Sequence, residues 1–293
     1  MGYYASVLTT ATINLMAILS MYVLMGLTGI FSMGQAAFMC VGAYTAGMLA
    51  VRTSLPMVVV VVISVGMGML SAFLVGLPVV KLRRDYIALI TLGFGEAIVA
   101  LLNNLSNVTG GANGINGIPR KMNIYLALGV LAVLIFLLLN FKNSKFGRHC
   151  IAIKNDELSA AAMGINVPRI KLLAFVLAGG ITALSGCLMA YNTTFIEPMA
   201  YGSVKSIDWI CFVFVGGVSS LTGTLVSGLI FNLLPEVLRV FSLYRIIVQG
   251  AIVLLIINFM PQGLFGEYEL SDLVKKVAGL FKKKPAVAGG DKQ

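Results

Sequence analysis

Nine apolar runs organise this chain, near residues 7–27, 34–51, 56–80, 86–104, 124–141, 170–192, 205–219, 221–240 and 244–260. A bilayer core of ~30 Å is crossed by about 20 apolar helical residues. In lipid every backbone polar group needs an internal partner, so runs of this length select helices. The expected fold is all-α, a polytopic transmembrane helical bundle. Two runs are weak. Segment 205–219 carries Asp208 and ends in Gly216-Gly217, and segment 34–51 follows Gly26, Gly29 and Gly34. A broken or re-entrant helix is expected there, which is tolerated at membrane depth only when buried in protein. Eight to nine crossings follow.

Composition agrees. Of 293 residues, 59% are hydrophobic and 11% charged, with mean hydropathy +0.96, against ~45–50% and ~25% for an ordinary soluble domain. So few charged side chains cannot cover so large an apolar surface. The net charge of +10 does not point to nucleic acid, because the basic residues lie between and after the apolar runs rather than along one face. Cys40, Cys150, Cys187 and Cys211 form no CxxC pair and read as small core residues. The N-terminal MGYYAS lacks the basic region of a cleaved signal, so the first apolar segment is expected to stay in the mature protein.

Charge also sets orientation. With the 142–171 loop in the cytoplasm, 15 of the 21 basic residues fall inside and 6 outside, as the positive-inside rule requires. Nine crossings then put the N-terminus outside, and eight put it inside. The C-terminus is expected to be cytoplasmic in both cases. Residues 1–266 read as one transmembrane domain and 267–293 as a basic cytoplasmic tail. In that tail 269–284 reads either as an amphipathic surface helix or as a solvated, frayed end.

Four stretches stand out from the apolar background. GLTGIFSMGQAAFMCVGAYTAG (26–47) has small residues spaced for close helix approach, which is also ordinary membrane packing. YIALITLGFGEAIVALLNN (86–104) places Glu96 in an apolar span, where a carboxylate costs at least ~2.5 kcal/mol on insertion scales. Gly93 and Gly95 are expected to loosen the helix and leave Glu96 at the start of a half-helix. It then marks either a solute path or a carboxylate satisfied by a neighbouring helix. SNVTGGANGINGIPRK (106–121) is an outside loop rich in turn residues.

The fourth stretch, KFGRHCIAIKNDELSAAAMGINVPRIKLLAF (145–175), is polar and joins two spans. Asn155 or Asp156 can cap a helix starting at Glu157, Gly164 suits its C-terminal cap, and Pro168 opens the next helix. One short helix is expected in this loop. Its alanines, Ala160, Ala161 and Ala162, leave it thin enough to enter a groove on another protein, while a place on the membrane surface fits the residues as well.

No GxxxxGK[ST] phosphate loop is present, so the chain has no usual means of binding ATP. It shows no nucleophile–base pattern and no metal-ligand spacing, and its single histidine, His149, has no evident partner. The residues call for no cofactor and point to no enzyme.

These stretches resemble the branched-chain amino-acid permeases of ATP-binding-cassette importers, of the LivM type. The matching blocks are GLTGIFSMGQAAFMCVGAY, then RRDYIALITLGFGEAI with TGGANGINGIP, then FGRHCIAIKNDELSAAAMGINVPRIKLLAFVLAGGITALSGCLMA, and finally FVFVGGVSSLTGTLVSG with PQGLFG. They run in family order from about residue 14 to 266. The resemblance implies a pathway in the bacterial inner membrane built with a sister LivH-type permease. Two cytoplasmic ATPase subunits would drive it, and an extracytoplasmic binding protein would deliver leucine, isoleucine or valine. The helix around Asp156–Gly164 would couple to the ATPases, with Glu157, Ala160, Ala161, Ala162 and Gly164 standing where the importer motif has Glu, paired alanines and glycine. Leu158 and Ser159 separate the Glu from the alanines, a departure from that motif.

Two rivals remain at this stage. Similar permeases import urea and short amides, and the spans do not separate these cargoes. An ion-coupled secondary transporter would use intramembrane ionisable relays, for which Glu96, Asp208 and Glu236 are scattered candidates.

Overall fold

The computed structural model describes residues 2–82, 84–237, 245–260, 263, 264 and 266; the expected basic tail 267–293 lies outside the described residues. The long helices are α1 (Tyr3–Met21), α2 (Gln35–Arg52), α3 (Met57–Val79), α4 (Arg84–Asn104), α6 (Ile124–Asn143) and α9 (Val167–Thr193). Shorter ones are α5 (Ser106–Thr109), α7 (Lys145–Asn155), α8 (Glu157–Ala162), α10 (Ser203–Gly216), α11 (Leu221–Val237) and α12 (Arg245–Phe259). The apolar runs of the sequence correspond to these elements within a few residues at each end.

Only five of them, among the described residues, are long and apolar enough to cross a membrane: Tyr3–Thr28, Met57–Val79, Tyr86–Asn104, Ile124–Asn143 and Val167–Thr193. The eight to nine crossings expected from the sequence would need the shorter helices to cross or re-enter as well. At 1.5 Å per residue, the 14 residues of α10 reach only about 21 Å, short of the ~30 Å hydrocarbon core. The 18 residues of α2 include Gln35 and Arg52 at its two ends.

The expected break near Gly29 is present. Beyond Met21 the first helix widens into a π-helical segment, Tyr22–Thr28, and stops at Gly29, whose φ of +67° lies in the left-handed region that glycine enters without penalty. The chain then turns back, and α2 starts inside the bundle beside the middle of α9. There Thr182 Oγ1 lies 2.9 Å from Gln35 Oε1 and 2.6 Å from Ser20 Oγ. Ser206 of α10 caps the new helix by accepting from Ala36 N at 2.8 Å. Thr91 of α4 accepts from Met33 N at 3.1 Å. The turn carries free amides, and these hydroxyls satisfy two of them inside the bundle.

α9 is the centre of the bundle, with α1, α2 and α3 packed around it. Small residues set the distance of approach. A Cβ at Gly42 would run into the Ala183 carbonyl, and one at Gly186 into the Met39 carbonyl. Lipid gives helices no hydrophobic reason to associate, so such close backbone contacts carry the packing.

One end of the bundle holds two short antiparallel strands, β1 (Ile115–Asn116) and β2 (Phe195–Ile196), with Ile115 opposite Ile196 and Asn116 opposite Phe195. They tie the 106–121 loop to the chain leaving α9. The opposite end holds α7 and α8. The expectation of a single loop helix misses α7. Its Ser144 cap accepts from Gly147 N at 3.2 Å, and Gly147, Cys150 and Ile153 recur on its buried face.

Candidate functional site

Among the described residues, two places draw attention by their polar chemistry: a charged recess part-way down, and the capped helix at the loop end.

Glu96 lies on α4, but α4 runs unbroken through Gly93 and Gly95. The expected half-helix starting at Glu96 does not form. The close approach is at Gly34 instead: a Cβ there would run into the Thr91 carbonyl of α4, while one at Gly95 would meet the Gly34 Cα only at 3.7 Å and Gly93 faces open space. The re-entrant turn leans on α4 here, and the helix keeps its hydrogen bonds. Glu96 nevertheless meets a helix start, that of α10. Its Oε1 accepts from Ser203 N at 3.2 Å. The α10 N-cap, Gly202, has no side chain to satisfy the first-turn amides, so a carboxylate from α4 takes that place at the positive end of the helix dipole.

The chain reaches this point through a 3₁₀ turn, Pro198–Tyr201, with Tyr201 buried. Around the start of α10 lies a cavity of about 530 Å³ lined by Glu96, Val99, Met199, Ser203, Lys205 and Asp208, among others. Lys205 Nζ lies 4.8 Å from the centre of the Tyr201 ring and 5.9 Å from that of Trp209, a cation–π arrangement that steadies a charge in apolar surroundings. Asp208 follows one turn later, on the same face. Glu236 is not part of this group: its Oε1 accepts from Tyr3 at 2.6 Å, at the strand end of the bundle. Of the residues considered for an ion relay, Glu96 and Asp208 thus share the recess and Glu236 lies apart from them. Sequence reasoning passed over Lys205, although a lysine three residues from an aspartate in an apolar run was a readable signal.

At the loop end, Asp156 is the cap. Its Oδ1 accepts from Leu158 N at 2.9 Å and Ser159 N at 3.3 Å, and its Oδ2 from Ser159 Oγ at 2.6 Å. The Ser159 hydroxyl first, then the two backbone amides, hold the Asp156 carboxyl below its ordinary range. The other end closes in a Schellman pattern. Ile165 N donates to Ala160 O at 3.2 Å and Gly164 N to Ala161 O at 3.0 Å, with Gly164 at φ +83°. α9 then opens at Val167 with Pro168 in its first turn, where the absent N–H costs nothing.

The three alanines do not share one surface. Ala160 is buried in the chain's own bundle, while Ala161 and Ala162 face outward. Leu158 and Met163, which composition did not single out, are 83% and 82% exposed beside them. Glu157 pairs with Lys171 of α9 at 2.7 Å. Lys154 of α7 donates to Gly26 O at 2.9 Å and to Ser219 Oγ at 2.8 Å. The loop helices are therefore fastened to α9, to the π-helical segment and to the α10–α11 turn. No spacing rule links residues so far apart, and the sequence did not reveal these ties.

The structure keeps the two places apart: Glu96 is exposed where it lines the recess at the start of α10, and α8 caps one end.

Comparison with known proteins places this arrangement. The family described as the branched-chain amino acid transport system, permease component, matches residues 3–257. The high-affinity branched-chain amino acid transport system permease protein LivM of Escherichia coli is 28% identical over 280 residues, covering 84% of this chain and 66% of its own length. LivM of Salmonella typhimurium is 28% identical over 286 residues with the same coverage. The LivH permease of Salmonella typhimurium is 26% identical over 189 residues, 64% of this chain and 58% of its own. The chain thus spans slightly under two thirds of the length of the LivM relatives it matches. No solved structure matches. With the family match running through the bundle, the recess and the capped loop alike, this multi-pass helical chain belongs to the permease family of the branched-chain amino acid transport system.

Proposed function

We propose that this chain is the LivM-type permease subunit of an ATP-binding-cassette importer in a bacterial inner membrane. It would line the pathway for leucine, isoleucine and valine together with a sister LivH-type permease. Two cytoplasmic ATPases drive transport, and an extracytoplasmic binding protein supplies the solute. The loop end and the C-terminus face the cytoplasm, as the charge distribution favours.

The observation that carries this reading is α8 itself. It is closed at both ends by Asp156 and the Gly164 turn, and it holds Leu158 and Met163 outward beside two small alanines. Burying one such side chain is worth ~1.5–3 kcal/mol, so a rigid exposed pair flanked by small residues suits a groove on a partner. The mechanical path follows from the fastenings. ATP closes the ATPase pair and displaces α8. Glu157–Lys171 passes the displacement to α9, and Lys154 passes it to the π-helical segment and the α10–α11 turn. The re-entrant turn behind that segment touches both α4 and α10, the helices that frame the recess.

Co-purification with tagged products of neighbouring genes tests the assignment. Two ATPase subunits and a second permease should co-elute with the chain, and the complex should hydrolyse ATP faster with a loaded binding protein. A chain that purifies alone and moves solute down an ion gradient without ATP would refute it.

A further inference from the structure

The recess at the start of α10 holds more charge than packing explains. Exposed Glu96 and half-buried Lys205 and Asp208 meet here around about 530 Å³ of space, one charge more than a single ion pair needs. That volume is within the ~300–1,000 Å³ usual for small-molecule sites. Glu96 uses Oε1 on Ser203 N, and among the described residues that is the carboxylate's only protein hydrogen bond, which leaves Oε2 for a guest. Lys205 is held by the faces of Tyr201 and Trp209, and ring contacts do not consume its three N–H donors. The remaining wall includes the apolar side chains of Val99, Met199 and Val204.

The geometry points to a subsite for the zwitterion of an aliphatic α-amino acid, formed by Glu96, Lys205 and Asp208. The guest ammonium lies toward the two carboxylates, the guest carboxylate meets Lys205, and the side chain lies on the apolar wall. This assignment rests on the reading of the chain as an amino-acid permease and adds to it a place where the membrane subunit itself recognises the solute. The sign of the charge sharpens it. Two carboxylates and one ammonium leave the recess net negative, so it should tolerate a missing solute carboxylate better than a missing solute ammonium.

The test is equilibrium binding of radiolabelled L-leucine to the purified permease–ATPase complex without binding protein. The competitors are 3-methylbutylamine, which lacks the carboxylate, and 4-methylpentanoate, which lacks the ammonium. In the wild type the amine should displace leucine at lower concentration than the acid. Lys205→Met should weaken leucine at least tenfold and leave the amine within about twofold, whereas Lys205→Arg should stay near wild type. Glu96→Gln should weaken both leucine and the amine. The ratio of the two competitors does not depend on how much of a variant folds. If Lys205→Met and Glu96→Gln bind leucine and both competitors as the wild type does, the subsite is wrong, and so it is if a transport-competent wild-type complex binds no leucine. In both cases the permease reading stands. A complex that imports no branched-chain amino acid with its own binding protein would overturn that reading as well.

Discussion

Lys171 Nζ, almost fully enclosed within α9, donates to Oε1 of Glu157 on α8 at 2.7 Å, and Glu157 keeps its outer side open to solvent. One partner is buried and the other half exposed. The pair therefore lies between an exposed ion pair, worth ~0–1 kcal/mol, and a buried one, whose disruption costs ~3–5 kcal/mol. Glu157→Leu should destabilise by about 1–3 kcal/mol on this scale, because it strands a buried ammonium. The double variant with Lys171→Met should recover most of that loss. Thermal unfolding in detergent reads both, and a double variant less stable than Glu157→Leu would contradict the pairing.

The Asp156 cap makes a pH-dependent contribution whose sign is fixed. Its carboxyl is held below the ordinary value by the Ser159 hydroxyl and the Ser159 and Leu158 amides. A depressed acid favours the folded form above its ordinary pKa and loses that advantage as pH falls through the lowered value. Protection of the Leu158 and Ser159 amides, corrected for intrinsic exchange, should hold at neutral pH and fall on acidification below ~4. Asp156→Asn should keep the cap without the pH dependence. Asp156→Ala should lose the cap and lower that protection at every pH.

Orientation can be read from chosen cysteines. Native Cys150 is a poor reporter, since it is buried and its thiol is pushed up to about 12 by desolvation. Leu158→Cys and Met163→Cys put thiols at highly exposed positions. In cells lacking the ATPase subunits, which would otherwise cover these positions, a membrane-impermeant maleimide should label both in inverted vesicles and neither in intact spheroplasts. The reverse pattern would invert the proposed topology.

Glu96→Gln keeps an acceptor for Ser203 N and removes only the charge. Complex assembly should be unchanged, while uptake falls several-fold. Glu96→Leu, which also strips the start of α10 of its external partner, should in addition destabilise by ~0.5–2 kcal/mol, the usual worth of a cap. Wild-type uptake by Glu96→Gln would make the residue a packing element.

Helix positions were legible in the sequence because lipid imposes a length and an apolar composition on each span. The Asp156 cap, the Gly164 turn and Pro168 at the head of α9 were legible too, since each follows from local stereochemistry. The errors arose where distant groups replaced a local rule. Gly93 and Gly95 suggested a broken α4, but α4 runs through both, the tight approach is that of Gly34 to Thr91, and the amide end that Glu96 serves belongs to α10. Three alanines in a row suggested one docking face, whereas helical geometry turns Ala160 inward and brings Leu158 and Met163 out with the other two. Lys154 and Lys171 counted only as topology signals until their partners on other helices were visible.

The central claim is that α8 docks the ATPases, and the most direct measurement is ATPase retention by loop variants of the full complex. Ala161→Arg and Ala162→Arg place bulk and charge on the outward face and leave the chain's own core untouched. Overpacking a close contact costs ~1–3 kcal/mol, enough for about a tenfold loss of docking affinity. Gly164→Val acts by backbone strain alone, since φ is +83° and no atom lies within 4 Å of the added Cβ. At least one of the three should insert and pair with the sister permease normally, yet lose the ATPases and solute-stimulated hydrolysis. Full ATPase retention by all three would show that residues 156–164 are not the docking element.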